Sequence, residues 1–221
     1  KKENSPVSLV RIAINFNHVL ESESIAKQLK DMGYQVGLNM MQAHGKDEKD
    51  YVETAKNISS WDAVDVLYFA DSLGNMIPED VKKICQSLKK GWPGTLGIHT
   101  HNNKNLALIN TMTAIENSVT WCDATITGMG RGAGNVSTES LLLEMSHLGY
   151  HKGNAIMTQP AVEDFTKLKN KFGWGSNLYY HYASNQGIHP TFVQSLLEDR
   201  RYDNQQVLGA LEFLADRDST A

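Results

Sequence analysis

Cysteine is nearly absent from this chain: there are two in 221 residues, Cys85 and Cys122. Each falls inside an apolar pattern, so both read as reduced core residues and a disulfide framework is excluded. No Lys- or Arg-dense run occurs and the formal charge is −4 at pH 7, which leaves no electrostatic footprint for nucleic acid. No stretch approaches the roughly 18 apolar residues needed to cross a bilayer. No secretory signal is recognisable either, and a cytoplasmic location is the expectation. The chain also opens without a methionine, as Lys1-Lys2-Glu3-Asn4 and already close to a strand, so a fragment, or a chain whose beginning is absent, is expected. What remains is ordinary for a soluble globular protein: 41% hydrophobic and 21% charged residues, with length enough to bury a substantial core.

Strand and helix patterns alternate along most of the chain. Apolar strands are expected at 7–16, 36–42, 64–70, 95–101 and 122–127, with a short sixth at 155–157. Helical spacing occupies 22–32, 48–59, the segment from Pro78 to Gly91, 106–117 and 137–148. Gly33 and Gly91 stand where helices stop, and Pro78 suits a first turn. Strict βα alternation with near-continuous apolar strands implies a parallel sheet with helices outside. From Gln159 the character changes to helices at 162–172, 179–186, 190–198 and 204–215, an all-α appendage rather than another βα repeat.

In parallel α/β architectures binding groups collect at the C-terminal ends of strands. The suspicious polar residues fall there: Asn15 and Asn17 after the first strand, Gln42 after the second, Asp71 and Ser72 after the third, His99 and His101 on the fourth. Alternation sends residues i and i+2 to one face, so the two imidazoles of His99-Thr100-His101 can converge on one metal ion. H-x-H also arises without metal, as two satisfied histidines at a strand end. A hard divalent cation wants about six donors; Asn135 can give an amide oxygen, and a carboxylate is still missing. Asp71 is the nearest candidate, although Asp-Ser-x-Gly is equally good turn chemistry. The run Gly128-Met129-Gly130-Arg131-Gly132-Ala133-Gly134-Asn135 lacks the ending of a phosphate-binding loop. Close backbone packing around a substrate, at Gly130 among others, is its expected use.

Tyr68-Phe69-Ala70-Asp71-Ser72-Leu73-Gly74 with Pro78, then His99-Thr100-His101-Asn102, then the glycine-dense run, in this order and spacing, resemble the DRE-TIM metallolyases. The nearest branch is the pyruvate-forming 4-hydroxy-2-oxovalerate aldolases, whose third and fourth barrel strands resemble Val10-Arg11-Ile12-Ala13 and 36–41. The resemblance implies a (β/α)8 TIM barrel over 1–158, here strands 3 to 8, and a helical C-terminal region over 159–221. It implies Mn²⁺ or Mg²⁺ held by His99 and His101, with Asn135 completing or bordering the shell and histidine ligation leaning to Mn²⁺. By the same resemblance Asp71, Ser72, Gly130 and Arg11 face the 2-oxo acid substrate, and Tyr179 lies over it as a catalytic residue.

One departure is large. The family's first strand supplies an aspartate ligand, an arginine that steadies the enolate and, in the aldolases, a nearby histidine base, and no such segment occurs here. About two N-terminal βα units are therefore expected to be missing, roughly 60 to 80 residues. The implied reaction is cleavage of a 4-hydroxy-2-oxo acid into pyruvate and an aldehyde, or its reverse, with an aldehyde dehydrogenase as possible partner and a homo-oligomer as possible state. Two alternatives stay open: an acyl-CoA lyase or synthase of the same superfamily, for which no basic cluster to grip a CoA phosphate is visible, and a non-catalytic assembly module.

Overall fold

The computed structural model describes residues 1–199 and 201–216. Its sheet has five parallel strands in the order β1-β2-β3-β4-β5: β1 (Leu9–Asn15), β2 (Gln35–Met41), β3 (Val66–Asp71), β4 (Thr95–Thr100) and β5 (Trp121–Cys122). Between and after them run α1 (Glu23–Asp31), α2 (Glu48–Ser60), α3 (Pro78–Lys89), α4 (Ala107–Glu116) and α5 (Thr138–His147). Four helices follow: α6 (Gln159–Phe172), α7 (Leu178–Asn185), α8 (Pro190–Glu198) and α9 (Asn204–Ala215). This is the α/β class expected from the alternation. The helical region expected through residue 221 runs beyond the described residues after 216.

The chain forms two compact units, one of 1–72, 76–99 and 113–123, the other of 73–75, 100–112 and the residues from 124 on. The boundary expected at 158 falls inside the second. In the first unit every residue of β3 is buried, as is the centre of β2, because a parallel sheet is covered where helices pack on it. Leu38, Met40, Leu67, Phe69, Leu96 and Ile98 point into one apolar cluster with Tyr51 and Ile58 of α2 and Ile84 and Leu88 of α3. Pro78 sits at the start of α3, where its missing N–H costs nothing, and Asp80 accepts the Ile77 N–H at 3.0 Å. The second unit has its own cluster, Tyr180, Ala183, Ile188, Val193, Val207 and Leu211, with Ala133.

Two expected strands are corrected. The fifth, anticipated over 122–127, is only Trp121–Cys122, and residues 126–128 form a 3-10 turn with Thr127 at φ 54°. A left-handed threonine ends extended structure, and it is held there by Glu139, whose Oε2 accepts the Thr127 N–H at 3.0 Å. The sixth, anticipated at 155–157, lies in a 3-10 helix, Ala155–Thr158. Asn154 accepts the Ile156 N–H at 3.1 Å, a side-chain turn that competes with strand formation.

Candidate active site

Parallel register decides which side chains share a face of the sheet in the first unit. Ala13 pairs with Asn39, Asn39 with Tyr68, and Gly97 with Trp121. With a period of two, Arg11, Asn39, Tyr68, Gly97 and His99 lie on the face opposite the apolar cluster. The Asp123 N–H donates to the Ile98 carbonyl at 3.1 Å and so continues the β4–β5 ladder one residue beyond β5. Asp123 Oδ2 then lies 2.9 Å from His99 Nδ1, and the same oxygen is engaged by Arg11 Nη1. The Arg11 guanidinium also sits over the Tyr68 ring, 4.9 Å from its centroid, a favourable cation–π placement. Arg11, expected near the substrate, thus spends its side chain on Asp123 and Tyr68. Burial alone would raise the Asp123 carboxyl; hydrogen bonds and charge from His99 and Arg11 outweigh it and hold the group below the usual carboxylate range.

The other strand ends of this unit are joined by polar contacts. Asn15 Nδ2 donates to Gln42 Oε1 at 2.7 Å, and the Gln42 N–H donates to Ser72 Oγ at 2.8 Å. Gln42 holds φ 52°, an uncommon value for a non-glycine residue. Asp71 is buried, and its Oδ1 accepts the Met76 N–H at 3.3 Å across the loop before α3. That is the turn role its sequence allowed, on the face of β3 opposite Tyr68. Asn39 is buried with no hydrogen-bond partner for its Oδ1.

In the second unit His101 and Asn135 pair across an antiparallel bridge, and the Asn102 N–H donates to the Gly134 carbonyl at 2.9 Å. Asn135 Nδ2 donates to the Met129 carbonyl at 3.0 Å, and Asn135 Oδ1 is buried without a partner. The glycine-dense turn packs closely against Asn135: a Cβ on Gly130 would stand 2.5 Å from Asn135 Nδ2. The tyrosine that meets this turn is Tyr180, whose ring would contact a Cβ on Gly132 at 2.8 Å; burial, then the charge of Glu198, pushes its phenol up, with Arg131 opposing. Tyr179 packs on the helical cluster instead. The loop after α6 straps the turn, with Trp174 Nε1 donating to the Thr127 carbonyl at 3.1 Å and the Gly175 N–H to the Gly132 carbonyl at 2.9 Å. Asn135 borders an open cleft of about 1000 Å³ that also includes Asn102, Thr127, Glu139, Lys169 and Trp174, room for a small organic acid.

The donor chemistry suits a divalent cation in part. A buried amide oxygen left without a partner costs about 1–3 kcal/mol, and a hard cation is one group that takes such an oxygen. His99 carries the carboxylate partner on Nδ1 that metal-binding imidazoles use for orientation. Among the described residues no group of three or more His, Cys, Asp and Glu side chains could hold a metal, so the carboxylate missing from the sequence is missing here too. Sequence reasoning overlooked Asp123 and Asn39. The only signal for either was its phase relative to His99 in the strand alternation. Among the described residues no helix is long and apolar enough to cross a membrane.

Comparison with known proteins places these observations. A family model described as HMGL-like matches residues 9–170. The 4-hydroxy-2-oxovalerate aldolase of Carboxydothermus hydrogenoformans is 37% identical over 145 residues, which are 66% of this chain and 43% of that protein. The chain therefore spans less than half the length of that curated relative. The crystal structure of the N-terminal domain of a candidate aldolase from Bacteroides vulgatus superposes with TM-score 0.79 at 31% identity, covering 92% of this chain and 67% of that one. The HMG-CoA lyase of Bacillus subtilis, at 14% identity, superposes with TM-score 0.62 over 76% of this chain and 63% of its own, a likeness of fold alone.

Proposed function

The chain belongs to the HMGL-like family of TIM-barrel proteins, and on that premise we propose that it is part of a divalent-metal-dependent carbon–carbon lyase that cleaves a 4-hydroxy-2-oxo acid into pyruvate and an aldehyde, or joins them. The observation that carries this reading is Asn135: an amide oriented by Met129, with a buried oxygen and no partner for it, bridged to His101. His99, His101 and Asn135 would hold the ion, Mn²⁺ or Mg²⁺. When bound, the ion supplies Lewis acidity toward the carboxylate and keto oxygens of a 2-oxo acid and toward the enolate charge that grows in the transition state.

This chain's own residues do the holding and orienting. Asp123 fixes the His99 ring, Arg11 fixes Asp123, and the folded glycine turn fixes Asn135. Tyr68, its face covered by Arg11, supports that guanidinium within the first unit. Tyr180 stands against the turn, and Ser72 remains the candidate neighbour of the 2-oxo acid, with its Oγ already accepting from Gln42. The named aldolase relatives at about 35% identity support this reading. The experiment is pyruvate release from 4-hydroxy-2-oxovalerate by the full-length protein, followed with lactate dehydrogenase and NADH. Activity abolished by EDTA and restored by Mn²⁺ is the expected result; release that EDTA leaves unchanged contradicts the proposal.

A further inference from the structure

We propose that Asp123 is a positioning residue that fixes the ring of His99 for cation ligation through Nε2, with Arg11 holding the carboxylate in place. The proposal rests on the reading of His99 as a ligand. Three observations in the first unit support it independently of any relative. The Asp123 backbone is pinned beside β4 by its N–H bond to the Ile98 carbonyl at 3.1 Å, so the carboxylate reaches the neighbouring imidazole from a fixed base. Its Oδ2 meets His99 Nδ1 at 2.9 Å. The same oxygen takes Arg11 Nη1, and the guanidinium in turn is seated over Tyr68, whose ring fills the space above Gly97, two residues before His99.

The chemistry follows from what each group can do. An ionised carboxylate only accepts hydrogen bonds, so the hydrogen at this contact belongs to Nδ1, and the neutral ring is held as a single tautomer whose basic nitrogen is Nε2. Metal-binding imidazoles are oriented in this way, and loss of the outer partner weakens binding without removing a ligand. The side chains of Arg11 and Asp123 are 34% and 23% exposed, and an ion pair that accessible to solvent adds little to stability.

The test uses the full-length protein labelled with ¹⁵N-histidine, metal-free, at a pH well above the free imidazole value of about 6.5. Long-range ¹H–¹⁵N spectra read the tautomer of His99, and calorimetric titration reads Mn²⁺ affinity. The wild type is expected to show the Nδ1–H pattern. Asp123→Ala is expected to lose it and to weaken Mn²⁺ binding about 10- to 100-fold. Asp123→Asn, whose amide oxygen still accepts, keeps the tautomer and most of the affinity. An Asp123→Ala protein with the tautomer and affinity of the wild type overturns the proposal. A wild type that binds no Mn²⁺ sinks the reading of His99 as a ligand and with it the ligation part of the proposal, while the tautomer shift then decides separately whether Asp123 fixes the ring. Should Asp123→Ala fail to fold, Arg11→Met leaves the carboxylate present but unheld; mixed tautomers and weaker Mn²⁺ binding support the proposal, and unchanged values overturn it.

Discussion

Asn135 pairs with His101 across an antiparallel bridge, with its amide nitrogen bound to the Met129 carbonyl and its amide oxygen buried without a partner. The orientation of the amide, rather than the backbone pairing, depends on Gly130, because a side chain there would collide with the amide itself. Gly130→Ala puts a methyl 2.5 Å from Asn135 Nδ2. The amide is the end of a rotatable side chain and can swing away at little conformational expense. The expected result is a melting temperature within a few degrees of wild type together with a loss of Mn²⁺ affinity of about tenfold, the size expected when a ligand's orientation is lost. Calorimetry and titration on one preparation check both.

Gly97 answers to packing instead. A Cβ at 97 would lie 2.4 Å from the Tyr68 ring, and that ring cannot move without disturbing the Arg11 guanidinium above it. Gly97→Val should destabilise by about 1–3 kcal/mol through overpacking, read as a lower urea midpoint with unchanged slope.

Phe69 tests the core of the first unit. It is fully buried in the middle of β3, on the face that packs with Ile84 and Leu88 of α3. Phe69→Ala is expected to lose about 3–5 kcal/mol in the same urea measurement, with the cost arising from the cavity rather than from any change at His99.

The thiols give a pH prediction. Burial pushes Cys85 up to about 12 and Cys122 up to about 11 from 9.0. In the unfolded chain both titrate near the ordinary value, so keeping them protonated adds stability that is complete below about pH 9 and is lost as pH rises toward 11 and 12. Unfolding free energy should therefore fall with pH across that window. Neither thiol should react with Ellman's reagent at neutral pH until the protein unfolds, since reaction needs the thiolate.

The βα rhythm could be read from the sequence because its signals are local: apolar strands, Pro78 at the start of α3, and helical spacing through the tail. β5 and the 155–157 segment depart from expectation because long-range or side-chain contacts decide them. Glu139 pulls Thr127 out of extended geometry, and Asn154 turns the chain before Ile156. At the site, His-x-His carries its own geometry, whereas Asp123 is one residue past an expected strand start and reads as nothing until β4 and β5 are in register. Tyr179 is the tyrosine that the family resemblance puts over the substrate; one residue along a helix turns a side chain by about 100°, and the ring that meets the glycine-rich segment, at Gly132, is that of Tyr180. Arg11 could be placed on its strand from sequence, but its partner 112 residues away could not.

The most direct test of the proposed centre is Mn²⁺ binding to the full-length protein, followed by the electron paramagnetic resonance of free Mn²⁺, for the wild type and for His101→Ala. One site per chain in the wild type, weakened by at least about 100-fold when the imidazole is removed, is the expected result. A His101→Ala protein that binds Mn²⁺ as tightly as the wild type contradicts it.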